Sequence, residues 1–487
     1  MNILIASVFS IGSYSRGIMP DVLQNQLDKY PDATLYYLTC SNTFDVCYFN
    51  IHKQPDVCYR CKTGVKDTLE LVSGNFKHLK IEELISSADK QEAVSFFRDK
   101  PIVEFDQIFE NFEVGAATLS TYISRSRDRD LNDVNQDYVK DLAVNALSFY
   151  LGLQRFLEKE HIDVVYNFNG RQDYVRAVMR ASLSKDIDCY NVERARFGGY
   201  VEFYKNVLPH NIRYKVNLVE QCWQESELSE SEKNEIGADF YNRQKSGESI
   251  IFPSYTKGMT KEEVPGYMSN GNKNIVLFNS SDDEFAALGE EYKNPFFENQ
   301  NEGLEYLSNL FGKSLINFNL VIRMHPNLAG VKHKFVEEIK QLHQQYPNIF
   351  VIEAESKIDS YALMKKAHKV ISFGSTTGLE ANFLRKPVVL LGKSIYFYSE
   401  VAYIPENKEE IEALITSNLK PKPIGDTLKF GFYFLKGGTK SLYYQESNKG
   451  DGVFLKKKGI HSFTIPQRIK ARIIHMAFQF FKLRLKF

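Results

Sequence analysis

Three short stretches in the second half of the chain carry side chains suited to holding an anion. Asn279-Ser280-Ser281-Asp282-Asp283-Glu284 follows the apolar run Ile275–Phe278, Arg323-Met324-His325-Pro326-Asn327 follows Asn319–Ile322, and Gly374-Ser375-Thr376-Thr377-Gly378-Leu379-Glu380 follows Lys369–Phe373. A Gly/Ser/Thr turn that opens a helix offers unpaired backbone N–H groups, hydroxyl donors and the positive end of the helix dipole, a combination suited to phosphate. Arg323 and His325 would add charge-assisted or neutral donors to the same anion, beside the hydroxyls of Ser280 and Ser281. Glu380, one turn into its helix, is placed to accept hydrogen bonds from ribose hydroxyls. Taken singly, each stretch has a plainer reading as an N-cap, a turn or a solvated helix start. Their recurrence at three strand ends of one sheet is what points to a ligand.

The first half repeats the pattern more sparsely. Asn169 and Arg171 follow the run Ile162–Phe168, with Asp173 and Arg176 opening the next helix, and Glu193 ends the run CYNVE beside Arg194 and Arg196. An Arg–Glu ion pair that only fixes loops is the alternative reading for this group. Cys40, Cys47, Cys58 and Cys61 are spaced C-x6-C-x10-C-x2-C. Three readings stand for them: a structural zinc held by four thiolates, small buried packing residues, or a redox pair.

Strands separated by helices place these loops. The first half reads as strands at 2–9, 33–39, 78–81, 162–168 and 188–192, and helices at 20–30, 136–160, 171–184, 215–224 and 229–244. The second half reads as strands at 274–278, 319–323, 349–352, 369–373 and 387–391, with helices between them. Such alternation implies parallel sheets covered on both faces. The Pro- and Gly-bearing stretch 249–273 reads as a linker, which divides the chain into a domain at 1–248, a second at 274–450 and a tail at 451–487.

Composition bounds the reading. The 61 Lys and Arg balance 61 Asp and Glu, so nucleic acid is not an expected partner. Hydrophobic residues make up 43% of the 487, enough for a large core. No run approaches about 18 consecutive apolar residues, and the apolar start has no basic residue before Arg16, so it reads as a strand and not as a secretory signal. A cytoplasmic protein with reduced cysteines is expected. From Gly452 onward there are nine basic residues and no acidic one; Ile469, Ile473, Met476, Phe480, Leu483 and Phe487 fall on one helical face, with Arg468, Arg472, Lys482 and Lys486 beside it. Such a helix suits an anionic membrane surface, here the inner face of the plasma membrane, unless it packs back onto the protein.

The stretch RMHP, followed by a helix and then VISFGSTTGLEANFLRKPVVLLG, resembles the donor half of GT-B glycosyltransferases that build bacterial capsules and lipopolysaccharides, and specifically the capsule polysaccharide biosynthesis group. The resemblance implies an α/β fold of two Rossmann-like domains facing a cleft, with the basic amphipathic helix at the C-terminus. It implies that His325, Ser375, Thr376 and Thr377 bind the phosphate of a UDP-, GDP- or CMP-linked sugar donor, with Glu380 at the nucleoside end. It further implies an acceptor on the N-terminal domain, either a growing glycan or a lipid-linked oligosaccharide, near Asn169, Arg171 and Arg196. The catalytic base would be Glu193 first, Asp173 second and Asp283 third. No clear Asp-x-Asp motif of the metal-dependent sugar transferases stands out, so metal-independent transfer is expected. The competing readings are a nucleotide-sugar epimerase on the same scaffold and a non-catalytic polysaccharide-assembly protein.

Overall fold

The computed structural model describes residues 1–9, 13–40, 43–44, 46–131, 134–248, 259, 263–446, 453–455, 458–459 and 464–484. Residues 1–126, 131–209 and 438–487 form one compact unit; residues 127–130 and 210–437 form the other.

The first unit is built on strands β1 (Asn2–Ser7), β2 (Thr34–Thr39), β3 (Lys77–Lys80), β4 (Val164–Phe168), β5 (Asp188–Arg194) and β6 (Tyr200–Lys205). In β1, Ile3, Leu4, Ile5 and Ala6 are all buried, the mark of a central strand covered on both faces. It pairs in parallel with β2 and β4, and β5 continues the parallel set before β6 turns back antiparallel. Helix Ser13–Lys29 covers one face, seating Ile18, Val22 and Leu23 among Ile3, Ile5, Leu35 and Tyr37. Helix Gln136–Lys159 starts where the Asn135 side chain accepts the Tyr138 N–H, and it buries Leu142, Ala146, Leu153 and Leu157 at helical spacing.

The second unit carries β7 (Lys273–Phe278), β8 (Phe318–Arg323), β9 (Ile349–Ile352), β10 (Lys369–Phe373) and β11 (Val388–Gly392) in the order β11-β10-β7-β8-β9, all parallel. Strand alternation sends Ile275 and Leu277 of β7 into one core with helix Gln300–Lys313, and Val276 and Phe278 into another. That second core also takes Val219, Phe240 and Tyr241 from helices Ile212–Glu225 and Glu230–Ser246. Helix Glu230–Ser246 meets helix Gly425–Lys436 backbone to backbone. A Cβ on Gly237 would stand 2.3 Å from the Leu428 carbonyl oxygen, and one on Gly431 would stand 2.3 Å from that of Gly237.

The chain then rejoins the first sheet. β12 (Thr439–Lys440) pairs antiparallel with β6, completing the order β12-β6-β5-β4-β1-β2-β3, and a small antiparallel sheet follows from β13 (Tyr444–Glu446), β14 (Val453–Leu455) and β15 (Lys458–Gly459). Helix Ile465–Arg484 lies on helix Pro55–Leu69. Ala471 is buried, Gln467 donates to Asp67 at 3.1 Å, and the His475 ring meets Asp56 at 3.2 Å. Ile465, Ile469, Ile473, Met476, Phe480 and Phe481 are left exposed. Among the described residues no helix is long and apolar enough to cross a membrane.

The two Rossmann-like sheets agree with the α/β expectation. The division of the chain runs differently from the sequence reading. Residues 210–248 pack with the second unit, residues 438–446 with the first, and most of the expected linker 249–273 lies outside the described residues.

Candidate anion site of the second unit

The three expected loops leave β7, β8 and β10, which are adjacent strands with β7 in the middle. Parallel pairing therefore brings their carboxyl ends together at one edge of the sheet, where open α/β sheets bind ligands. Asn279 and His325 are joined directly: the Asn279 side-chain oxygen accepts the His325 backbone N–H at 2.6 Å. That donor fixes which amide atom of Asn279 is oxygen. The Asn279 side-chain nitrogen is then a buried donor with no acceptor among the described residues.

His325 is similarly pinned. Its Nδ1 accepts the Asn327 N–H at 3.2 Å, and burial pushes its pKa down to about 4. A neutral ring that accepts at Nδ1 carries its proton on Nε2 and donates there. Asn327 is in turn held by Glu284 at 2.5 Å.

A cation absent from the sequence expectations stands beside this pair. Arg127 donates to Asp283 at 2.5 Å and to the Ser281 hydroxyl at 3.3 Å, and Ser281 donates to the other Asp283 oxygen at 2.5 Å. The Asp283 side chain is 2% exposed and that of Arg127 37%. Arg129 secures the same segment by lying 4.5 Å from the centre of the Phe335 ring.

Arg323 is buried and donates from its two terminal nitrogens to the carbonyls of Met324, Glu353 and Ser356, so it ties β8 to the loop after β9. Its Nε is a buried donor with no acceptor among the described residues. Ser280 is likewise engaged: Gln300 accepts from its N–H at 2.9 Å and its hydroxyl at 3.2 Å.

The Ser/Thr turn is tied down by internal hydrogen bonds. The Ser375 carbonyl accepts from Ser372 at 2.8 Å and Tyr396 at 2.9 Å, and the Ser375 hydroxyl accepts from the Thr377 hydroxyl at 3.0 Å. Gly374 has φ +78°, and a Cβ there would meet Ser280 Oγ at 3.4 Å, so this turn abuts the loop after β7. Gly378 makes room for the Tyr396 phenol, which would lie 2.0 Å from its Cβ. Thr376 and Glu380 are half-buried. Burial, then the Glu380 charge, raise the Tyr241 and Tyr361 phenols.

In the first unit, the side-chain nitrogen of Asn169 and the backbone N–H of Arg194 (2.8 Å) donate to opposite oxygens of Glu193 at the end of β5. Arg171 is buried; its N–H donates to Asn169 at 3.0 Å and its Nε to Ser120 at 2.9 Å. Arg196 follows β5 and is half-buried. Asp173 is fully enclosed, accepts from Thr121 at 2.5 Å, and is raised by burial to about 7. It anchors the helix start and does not face solvent.

Cys40, Cys47, Cys58 and Cys61 line one cavity of about 30 Å³ with Phe9, Phe44 and Tyr174. Among the described residues no three His, Cys, Asp or Glu side chains are placed to hold a metal ion. Burial among apolar groups, then the neighbouring Cys40, push the Cys47 thiol well above its ordinary range.

Comparison with known proteins follows this geometry. Residues 272–404 match the family described as Capsule polysaccharide biosynthesis protein, a span that contains all five strands of the second sheet and the three loops. The resemblance to that family drawn from the sequence holds over this stretch. No curated sequence matches the chain. Among solved structures, the β-Kdo 2,4 transferase of Thermosulfurimonas dismutans KpsC is 12% identical, covering 65% of this chain and 88% of that one, with a TM-score of 0.39. A UDP-GlcNAc 2-epimerase of Methanocaldococcus jannaschii, in complex with UDP-GlcNAc and UDP, is also 12% identical, covering 88% and 98%, with a TM-score of 0.28. TM-scores this low carry no conclusion about function.

Proposed function

We propose that the chain is a glycosyltransferase of capsule or related surface-polysaccharide synthesis. It takes a sugar from a nucleotide-activated donor, UDP-, GDP- or CMP-linked, and passes it to a growing glycan or a lipid-linked acceptor. The observation that carries this reading is the pair of donors at neighbouring strand ends, the orphan Asn279 amide nitrogen and the Nε2 proton of neutral His325. Two such donors match the oxygens of a phosphate, and Arg127 stands beside them with positive charge. The family match over the same loops supports the choice of a sugar nucleotide.

Ser375, Thr376 and Thr377 supply further donors to the phosphate, and Glu380 accepts from the nucleoside. Glu193 is the proposed base: two donors orient its carboxylate. It takes the proton as the acceptor oxygen bonds to the anomeric carbon, while the bond from that carbon to the phosphate oxygen breaks and its electron pair leaves with the phosphate. In place of a metal ion, neutral His325 donates a hydrogen bond to the leaving phosphate, and the Arg127 guanidinium, held by Asp283, stands beside it. Helix Ile465–Arg484 holds the enzyme at the cytoplasmic face of the membrane, its exposed apolar stripe entering the lipid and Arg468, Lys470 and Arg472 meeting anionic headgroups.

The test is an assay of purified chain with radiolabelled UDP-, GDP- and CMP-sugars, with and without membrane extract as acceptor. Release of nucleotide coupled to label entering a larger product is expected from one donor. Interconversion of the donor without acceptor would replace the reading by an epimerase, and no turnover of any donor would contradict it.

A further inference from the structure

Away from the strand ends, the first unit carries an open pocket, here called the chamber, of about 690 Å³ between helix Ser13–Lys29 and the faces of β4, β5 and β6. Its size is that of a small-molecule site. It lies beside mid-strand residues and the later turns of the helix, not at the carboxyl ends of the parallel strands.

The two walls differ in chemistry. The sheet side is aromatic. Tyr166 and Tyr190 are register partners on neighbouring strands, so their rings leave the sheet together, with centroids 5.4 Å apart and planes 19° from parallel. Phe203 meets Tyr166 edge-on at 6.2 Å. The helix side is polar and brings Asp21, Asn25, Gln26 and Asp28 into the lining. Asp21 is held in place by the backbone N–H groups of Tyr443 and Tyr444 at 2.5 and 2.9 Å and by the Asn25 amide at 3.0 Å. Gln26 differs from its neighbours: its side-chain oxygen is buried and has no donor among the described residues. Leaving a buried acceptor unmade costs free energy that a ligand hydroxyl would recover.

The geometry points to a saccharide-binding site in this chamber, taking a neutral pyranose unit of the glycan. A pyranose has an apolar C–H face for Tyr166, Tyr190 and Phe203, and hydroxyls that donate to Gln26 and to the oxygens of Asn25, Asp21 and Asp28. Asp21 and Asp28 are matched by Lys29 and Lys440 in the same lining, so no net positive charge draws a phosphate there, and four polar side chains on one wall disfavour an acyl chain. Because the chamber is not at the strand ends, it would retain the polymer rather than present its reacting end. The choice of a sugar rests on the polysaccharide reading above; the two-sided lining does not.

Saturation-transfer NMR with maltose, lactose and chitobiose at millimolar concentration tests it on the full chain. Transfer to at least one disaccharide is expected, weakened about tenfold or lost in Tyr190→Ser and in Gln26→Leu, and unchanged in His325→Ala. Gln26→Leu guards against a folding defect in the tyrosine variant, and circular dichroism checks both. No transfer to any of the three, or transfer that persists in both variants, overturns the site. Thermal stabilisation by nucleotides, read on the same samples, separates the two claims. Nucleotide binding without sugar binding sinks the chamber alone, and sugar binding without nucleotide binding sinks the transferase reading alone.

Discussion

His325 shows how much a single ring depends on its surroundings. Burial takes its pKa from 6.5 to about 4, so the unfolded chain gains a proton near pH 6.5 that the folded chain refuses until about pH 4. Unfolding therefore takes up a proton in that window, and this residue's contribution to stability falls as the pH drops through it. Asp173, raised to about 7, acts in the opposite sense: the folded state holds its proton where the unfolded state has lost it, so its cost shrinks as pH falls. His325→Asn is expected to lose less melting temperature than the parent between pH 7 and pH 5, measured by circular dichroism; equal losses would contradict the buried, neutral ring. At this scale the sequence was readable where a motif sits on a strand end, as with His325, Ser281 and Ser375. At Arg323, the last residue of β8, the two terminal guanidinium nitrogens go to carbonyls, which no sequence pattern announces, while Nε is left without an acceptor among the described residues. Arg127 was unreadable. It lies in the run SRSRDRD, far from any strand end, with a left-handed backbone (φ +62°) that no local signal announces.

Elements were legible where periodicity is strong and boundaries where caps are strong. All five strands of the second sheet, and helix Gln136–Lys159, fall within a residue or two of their expected limits. Helix Ser13–Lys29 begins well before the expected start at Pro20, because its first turns contain Gly17, Arg16 and Pro20 and lack an apolar period. They are helical through tertiary packing, with Gly17 making room for the Tyr444 ring that would lie 2.0 Å from a Cβ. β6 went unread, since YVEFYK is short and pairs with a strand that also ends in charges. Helix Ile465–Arg484 was legible as amphipathic, and it presents its apolar residues outward while Ala471 seats against helix Pro55–Leu69. Replacing Ile469, Ile473 and Phe480 by Ser is expected to cut binding to vesicles containing anionic phosphatidylglycerol by about tenfold or more in a sedimentation assay, with little change in melting temperature. Undiminished sedimentation would show that this face does not meet lipid.

At the scale of the whole molecule, one long chain forms two α/β units, and it crosses between them at places composition does not mark. Residues 210–248 read as the close of the first half because they precede a Pro- and Gly-bearing stretch, yet Val219, Phe240 and Tyr241 complete a core of the second sheet. Residues 438–446 return to supply β12 and β13 to the first unit. Such returns are set by tertiary burial, which local patterns do not encode. The cysteine group is a similar case. Four cysteines do come together, as their clustering suggested, around an apolar cavity in which burial raises the Cys47 thiol.

The account depends on the second unit binding the phosphate of a nucleotide through His325 and Asn279. Isothermal titration of UDP, GDP and CMP into the chain and into His325→Ala measures this directly. One of the three is expected to bind the parent and to bind the variant about tenfold to a hundredfold more weakly, the loss of a hydrogen bond to a charged group, with the melting temperature in the absence of nucleotide essentially unchanged. Equal affinity for both proteins, or no binding by any of the three, would contradict it.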